Sequence, residues 1–388
     1  MEGYDSSSQL TSSFGKGTKS TKARTKGSSK AAVLAQARQM EHLAAGGIEE
    51  TAALPGGGKA GEKVFECKDG LTRLPYRVVG RPPAAGAPAE AVNFVVLNDF
   101  FDTMEQAEIL LGPALRGGGG GGAQALVFNY PGQFGASGEA GANEELADRA
   151  AELVAHLDAE GRFPARSRPF HLLGFGNGAS IALAFAARHG NRYQNSLRSL
   201  VTVNGFAAVD SQLAAIMHSS LRFFESFPPN RPDLPVSYFA KFLFSEAYLQ
   251  KVPLQLALSL HTAVSNHITL AGRAQICRGA LRHRDLRREL RALRVPVVAV
   301  QATEDVLVNP ANADAWLEGR RALCLYDHQV QDRGPADRNA LGPEGAGALL
   351  AALGRADGCF LLWLRGGHAL AQERRRAVAD LLRALARP

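Results

Sequence analysis

The chain lacks several features that would quickly assign it to a class of protein. Its four cysteines, Cys67, Cys277, Cys324 and Cys359, lie far apart and form no C-x-x-C pair. That spacing argues against a disulfide framework or a cysteine-rich zinc site, and favours reduced cytosolic thiols. No apolar run reaches the ~18 residues that a membrane-spanning helix needs. The N-terminus also has no apolar core of a signal peptide. We therefore expect a cytoplasmic protein without a transmembrane segment.

Positive charge is concentrated near the N-terminus. Residues 6–40 contain no acidic residue and seven basic ones, namely Lys16, Lys19, Lys22, Arg24, Lys26, Lys30 and Arg38. The surplus of the whole chain is also +7, so the rest of the chain is electrically balanced. A segment this rich in Ser, Thr, Lys and Gly cannot bury enough surface to order itself. We predict that residues 1–45 form a basic tail, extended or bound to a partner, with a short helix over Ala31–Ala45.

From Lys63 onward, short apolar segments alternate with helical ones. The segments predicted as strands are Val64–Cys67, Pro75–Val79, Asn93–Leu97, Ala125–Tyr130, Phe170–Gly174, Leu200–Asn204, Val295–Ala302 and Cys359–Leu364. Strands that are apolar throughout and separated by helices indicate a parallel sheet covered on both faces, the α/β class. The first two strands have no helix between them, so we predict an edge hairpin.

Two segments interrupt this alternation. Residues 205–290 lack convincing strands and contain aromatic helical stretches, which indicates an inserted helical lid between core segments 63–204 and 291–388. Residues 331–356 are rich in Gly, Asp, Arg and Pro. They predict a long surface loop with one helix near Gly347–Leu353.

Five local segments together resemble the α/β-hydrolase fold family. They are Asn93–Asp102, Asn129–Ser137, Gly174–Gly178, Val297–Asp305 and Leu364–His368. They look like, in order, the third strand with its loop, the Pro-Gly-x-Gly-x-Ser loop, the nucleophile elbow, the strand bearing the acid, and the final Gly-His loop. The resemblance implies a mostly parallel sheet with a lid inserted after the sixth strand.

The resemblance also implies where a catalytic triad would lie, because the family orders it as nucleophile, acid and histidine. The matching positions are Gly176, Asp305 and His368. Glycine offers no attacking atom. Three other residues that could attack are poorly placed: Ser137, Ser180 and Cys359. We expect Asp305 and His368 to form a buried hydrogen-bonded pair. The alternatives are that Asp305 is only a turn residue and that His368 is only a packed loop residue.

A second departure from the family concerns the loop that helps to form the oxyanion hole. The family often has His-Gly there, whereas this chain has Asn98-Asp99. The matching oxyanion region is Asn98, Asp99, Phe100 and Asn177. An ionised Asp99 beside the hole would disfavour the negative charge that the hole stabilises. The alternative is that Asp99 turns outward and caps the following helix.

These departures predict a non-catalytic protein of this fold that serves as a scaffold or binding module and needs no cofactor or metal. Two alternatives stay open. One is an enzyme that uses His368, oriented by Asp305, as a general base, such as a cofactor-independent lyase or oxygenase or a hydrolase. The other is a small-molecule receptor that uses the pocket beneath the lid.

The basic tail suggests the kind of partner. Lysines and arginines on a flexible segment favour an acidic surface, and salt weakens that attraction. Tubulin or another acidic polymer, nucleic acid and anionic lipid all fit this charge. Aromatic residues are not interleaved with the charges, so nucleic acid is not specifically indicated. We therefore expect an acidic protein partner in a larger assembly, such as a microtubule-based cytoskeletal or ciliary structure.

Overall fold

The computed structural model describes residues 62–81, 92–100, 102–116, 123–228, 231, 233–253, 268–330 and 340–387. The basic tail and the helix predicted over Ala31–Ala45 lie outside these ranges.

The centre of the fold is a nine-stranded sheet with the strand order β1-β2-β4-β3-β5-β6-β7-β9-β8. The strands are β1 (Lys63–Glu66), β2 (Arg73–Gly80), β3 (Asn93–Leu97), β4 (Gln124–Phe128), β5 (Phe170–Phe175), β6 (Leu197–Val203), β7 (Val297–Ala302), β8 (Arg321–Leu325) and β9 (Gly358–Leu364). The predicted edge hairpin is confirmed, because β1 and β2 pair antiparallel at one end of the sheet. Every pair from β4 through β8 is parallel, as the α/β prediction requires.

Helices cover the sheet and connect its strands. The described helices are α1 (Met104–Arg116), α2 (Asn143–Ala159), α3 (Asn177–His189), α4 (Ser211–Ser226), α5 (Asp233–Leu243), α6 (Glu246–Leu249), α7 (Leu270–Leu281), α8 (Arg287–Ala292), α9 (Asn312–Leu317), α10 (Gly342–Leu353), α11 (Leu370–Glu373) and α12 (Arg375–Leu385). Within the described residues, no helix is both long and apolar enough to cross a membrane.

Successive residues of the central strands supply two separate cores. Val95 of β3 packs with α2 and α3 on one face, whereas Phe94 and Val96 pack with α1, α10 and α12 on the other. Side chains alternate between the two faces of a strand, so a strand covered on both faces is apolar at every position. This explains why all five residues of β3 are buried.

The lid follows β6, as the resemblance implied. Helices α4, α5 and α7 share a third apolar cluster whose aromatic members include Phe206, Phe224 and Phe239. Glu373 of α11 ties the lid to the last loop of the core. One of its carboxylate oxygens accepts hydrogen bonds from the backbone N–H groups of Ser245 and Gly367.

Strand β8 is absent from the sequence prediction. Four of its five residues are exposed, because it is the edge strand beside β9, so it lacks the buried apolar pattern of the central strands. The predicted helix near Gly347–Leu353 is present, but it begins earlier, at Gly342.

Candidate functional site

Four loops meet where parallel strands β3, β5, β7 and β9 end. Asp99 follows β3, Gly176 follows β5, Asp305 follows β7 and His368 follows β9. The carboxyl ends of parallel strands lie along the same edge of the sheet, where α/β folds place their ligand sites. The fold therefore brings together these four residues, which are far apart in the sequence.

The predicted buried pair of His368 and Asp305 is confirmed. Nδ1 of His368 lies 2.8 Å from Oδ2 of Asp305, whose side chain is fully buried. The other Asp305 oxygen accepts backbone hydrogen bonds from Leu307 and Val308 at 2.8 and 3.0 Å. Because both of its oxygens are held, this carboxylate fixes the orientation of the imidazole ring.

Gly176 occupies the tip of the turn between β5 and α3, as the resemblance implied. Its backbone has φ +47° and ψ −116°, a conformation that side-chain-bearing residues rarely adopt. A Cβ atom built on this residue would lie 2.2 Å from Oδ1 of Asp99 and 2.3 Å from its Cγ. The Asp99 carboxylate therefore fills the space into which a side chain at position 176 would project.

Asp99 thus points into the site, and the outward, helix-capping alternative is wrong. Its Oδ1 accepts a hydrogen bond from the backbone N–H of Asn177 at 2.8 Å. Its Oδ2 lies 2.9 Å from Nε2 of His368. In the α/β-hydrolase pattern, the N–H of the residue after the nucleophile is an oxyanion-hole donor. In this chain that donor already holds a carboxylate.

His368 is consequently held between two carboxylates. An ionised carboxylate only accepts hydrogen bonds, so both ring nitrogens of His368 must carry protons to satisfy the pairing. Burial by itself would lower the pKa of His368, but the charges and hydrogen bonds of Asp305 and Asp99 hold that pKa well above its usual value. In this state both ring nitrogens of His368 act as hydrogen-bond donors.

The pKa of the Asp99 carboxyl group shifts in the opposite direction to that of His368. Burial by itself would raise its pKa, but the His368 charge and hydrogen bond, together with backbone N–H groups of Asn177 and Phe100, lower it below its usual range. The neighbouring Asp102 is different. Burial, followed by the Asp99 charge, raises the pKa of Asp102 to about 7.

The other predicted oxyanion residues have structural roles. The Asn98 side chain turns away from the site and donates a hydrogen bond to the Phe128 carbonyl at 2.9 Å. The Asn177 side chain accepts a hydrogen bond from Asn143 at 2.8 Å. Phe100 packs partly buried against the lid cluster. Asn177 and Phe100 therefore contact the Asp99 carboxylate only through their backbone N–H groups.

Three residues that the sequence prediction overlooked hold these loops in place. Gln133 donates to the carbonyls of Asp99 and Asp102 at 2.9 and 3.0 Å, and Tyr130 donates to the Asn98 carbonyl. Asn204, with φ +52°, donates to the His368 carbonyl at 2.9 Å. A positive φ is uncommon for a non-glycine residue, but the sequence signals it only as an asparagine at a strand end.

Two of the residues considered as substitute nucleophiles, Ser180 and Cys359, lie outside this cluster of side chains. The Ser180 hydroxyl is buried and donates to the Phe206 carbonyl. Cys359 lies near the start of β9, at the opposite end of the strand from His368, and burial raises its thiol pKa to about 12. In the part of the chain that is described, no group of His, Cys, Asp and Glu side chains is arranged to hold a metal ion.

Solved structures share this architecture. An enol-lactonase from Burkholderia xenovorans LB400 superposes with a TM-score of 0.58 at 16% identity, over 82% of this chain and 98% of that one. A thermophilic esterase from Thermogutta terrifontis gives 0.58 at 15% identity, over 84% and 98%. A hydrolase from Pseudomonas aeruginosa PA01 gives 0.58 at 17% identity, over 84% and 99%. No protein-family model matches the sequence, and no curated protein is significantly similar to it.

The sheet, its flanking helices and these superpositions define an α/β-hydrolase fold. At these identities the likeness concerns the fold alone, and the fold hosts many unrelated functions. What this chain does must be argued from its own site.

Proposed function

We propose that this chain is a non-catalytic α/β-hydrolase-fold protein whose triad positions form a closed ion-pair network of Asp99, His368 and Asp305. One observation carries the proposal. The Asp99 carboxylate fills the space where the side chain of a nucleophile would lie. It also accepts a hydrogen bond from the oxyanion-hole N–H of Asn177 and pairs with His368. Three requirements of acyl transfer are thereby blocked: an attacking side chain, a free base and an oxyanion donor.

The purified protein is therefore expected to show no turnover of simple esters such as 4-nitrophenyl acetate, measured as release of nitrophenol. Gly176→Ser alone is expected to stay inactive, because Asp99 occupies the space of the new side chain. Asp99→Gly with Gly176→Ser clears that space and frees His368, so we expect measurable hydrolysis. Adding His368→Ala to this double variant should lower it by ~100-fold or more, the usual contribution of a general base.

Robust ester hydrolysis by the unaltered chain, lost in His368→Ala, would end the non-catalytic proposal. If the double variant folds normally but is inactive, removing the Asp99 side chain is not enough to restore a working arrangement of serine, histidine and oxyanion hole.

A second candidate function follows from the same carboxylate. Carboxylates can themselves act as nucleophiles, and Asp99 lies where a nucleophile would lie. The geometry favours this less, because the Asn177 N–H and His368 already engage both of its oxygens. Intact-mass measurement after incubation with an alkylating substrate such as an epoxide separates the two functions, since covalent catalysis requires an ester on Asp99.

The basic tail supplies the docking part of the proposal, on the strength of its charge alone. We expect it to bind an acidic protein surface, with the acidic exterior of a microtubule as the test surface. Because the residues outside 6–40 carry no net charge together, deleting residues 1–40 should lower co-sedimentation with microtubules at low salt by roughly tenfold.

The matched control for this deletion replaces only the seven basic residues with glutamine and keeps the length. It should reproduce the deletion if charge is responsible. Binding that persists, with its salt dependence unchanged, in both variants would remove the tail from the account.

A further inference from the structure

A cavity lies beside the Asp99–His368 pair, between α1 and the C-terminal helices α11 and α12. It measures about 100 Å³. Apolar side chains from both sides line most of it, among them Ala107, Leu110, Phe175, Leu243 and Ala371. Two amides and one guanidinium, from Gln106, Gln372 and Arg375, supply polar groups. Small-molecule sites typically combine an apolar lining with a few polar groups in this way.

Arg375 is the unusual member of this lining. It is partly buried, and among the described residues it has no hydrogen-bond or ion-pair partner. Its charged neighbour is another cation, because the exposed Arg116 at the end of α1 adds to burial in lowering the pKa of Arg375. By contrast, Arg374 and Arg376, on either side of it in the chain, face Asp327 and Asp380. A partly buried guanidinium without an anion is an unfavourable arrangement that a ligand carboxylate would relieve.

The charged residues that line the cavity also determine how a bound ligand would be oriented. Asp99, Asp102 and His368 line the cavity near the triad positions. The His368 charge is already paired with Asp99 and Asp305, so a further anion would be repelled there. Arg375 therefore defines where an anionic head group would lie. The apolar part of the ligand would then extend between α1 and Phe175.

We infer that this cavity binds a short-chain monocarboxylate, with its carboxylate on the Arg375 guanidinium and its alkyl chain against Ala107 and Leu110. The size follows from the volume of about 100 Å³. Since a cavity of ~150 Å³ takes up benzene, this volume gives room for roughly four heavy atoms besides a head group at the mouth. The inference goes beyond the proposed function, because binding involves no chemical step and the ester assay does not bear on it.

Calorimetric titration of the full chain with butyrate tests this inference. We expect one site per chain with a Kd of about 1 mM or below, within what a six-atom ligand can reach. Arg375→Met, which keeps much of the aliphatic stem, should weaken butyrate binding by about tenfold or more, because it removes a charge-assisted bidentate contact. Butyramide, the neutral isostere, should bind the unaltered chain as weakly as butyrate binds this variant.

The matched control is Arg116→Met, which removes an exposed arginine that is near the cavity but not part of its lining. It should change the affinity by no more than about twofold, because exposed charges are screened. If Arg375→Met fails to fold, Ala107→Leu narrows the cavity from the opposite wall and should likewise weaken binding by about tenfold or more. The inference is overturned if butyrate binds without saturation, if butyramide binds as tightly, or if Arg375→Met retains full affinity.

Discussion

Replacing Gly176 with alanine is expected to lower the free energy of unfolding by about 3–5 kcal/mol. The backbone of Gly176, with φ +47° and ψ −116°, lies outside the regions open to residues with a side chain, which costs an alanine ~1–3 kcal/mol. The added Cβ would also displace the Asp99 carboxylate, which lies 2.2 Å from its position. That displacement weakens charge-assisted hydrogen bonds worth ~1.5–3 kcal/mol. Denaturant unfolding of the purified variant measures the loss.

Gly161 offers a control for alanine at a positive φ without a neighbouring side chain. It also has a positive φ, +68°, but a Cβ built there has no neighbour within 4 Å. Gly161→Ala should therefore cost only the ~1–2 kcal/mol of the backbone conformation. In an Asp99→Gly background, Gly176→Ala should cost only its own backbone strain of ~1–3 kcal/mol. Equal losses for Gly176→Ala and Gly161→Ala in the unaltered chain would contradict the placement of Asp99.

The second large effect is expected from Asp99→Asn, which removes one buried charge from the network and leaves its shape. Breaking a buried ion pair typically costs ~3–5 kcal/mol. We expect a loss at the lower end of this range, about 3 kcal/mol near pH 6, because the amide oxygen of the introduced side chain can still accept from the Asn177 N–H. Asp285→Asn is the control, since its pair with Arg287 is exposed and should contribute less than ~1 kcal/mol.

The pH dependence of this loss follows from the direction of each pKa shift. The pKa of His368 is raised on folding, so its stabilisation is fully present below the unfolded value of ~6.5 and is lost as the pH rises through the folded value. The pKa of Asp99 is lowered, so its contribution is present above ~3.9 and is lost as the pH falls.

The unaltered chain should therefore be most stabilised by the network between about pH 4 and 6.5. The difference between it and Asp99→Asn should shrink as the pH rises through the pKa of His368 in the folded variant, which Asp305 alone still raises. A difference that does not shrink where His368 of the folded variant loses its proton would show that Asp99 does not stabilise the charged ring.

Most of the fold can be predicted from the sequence because the patterns that indicate its strands and helices are local. Each central strand is a continuous apolar segment, and the turn at Gly176 lies between such a strand and a helix of small residues. Strand β8 lacks this signal, because an edge strand such as Arg321–Leu325 leaves most of its residues exposed. The order of the five matching segments placed Asp305 and His368 at adjacent strand ends, which was enough to predict their pairing.

The direction of the Asp99 side chain could not be predicted in the same way. It depends on contacts with Asn177 and His368, which are 78 and 269 residues away along the chain. Arg375 could not be singled out from the sequence for a related reason. It belongs to a run of basic residues at the start of α12, and only packing distinguishes it from neighbours that have carboxylate partners. Such differences between adjacent like residues depend on tertiary structure.

The protonation state of His368 tests the central claim most directly. Nitrogen-15 NMR of histidine-labelled protein reports each ring nitrogen separately, and His368→Gln identifies its signals among those of the ten histidines. Two carboxylates face the ring, so both nitrogens should stay protonated from about pH 5 to 8. Titration of His368 to a neutral ring near pH ~6.5, with Nε2 unprotonated, would contradict the account and leave a base available for catalysis.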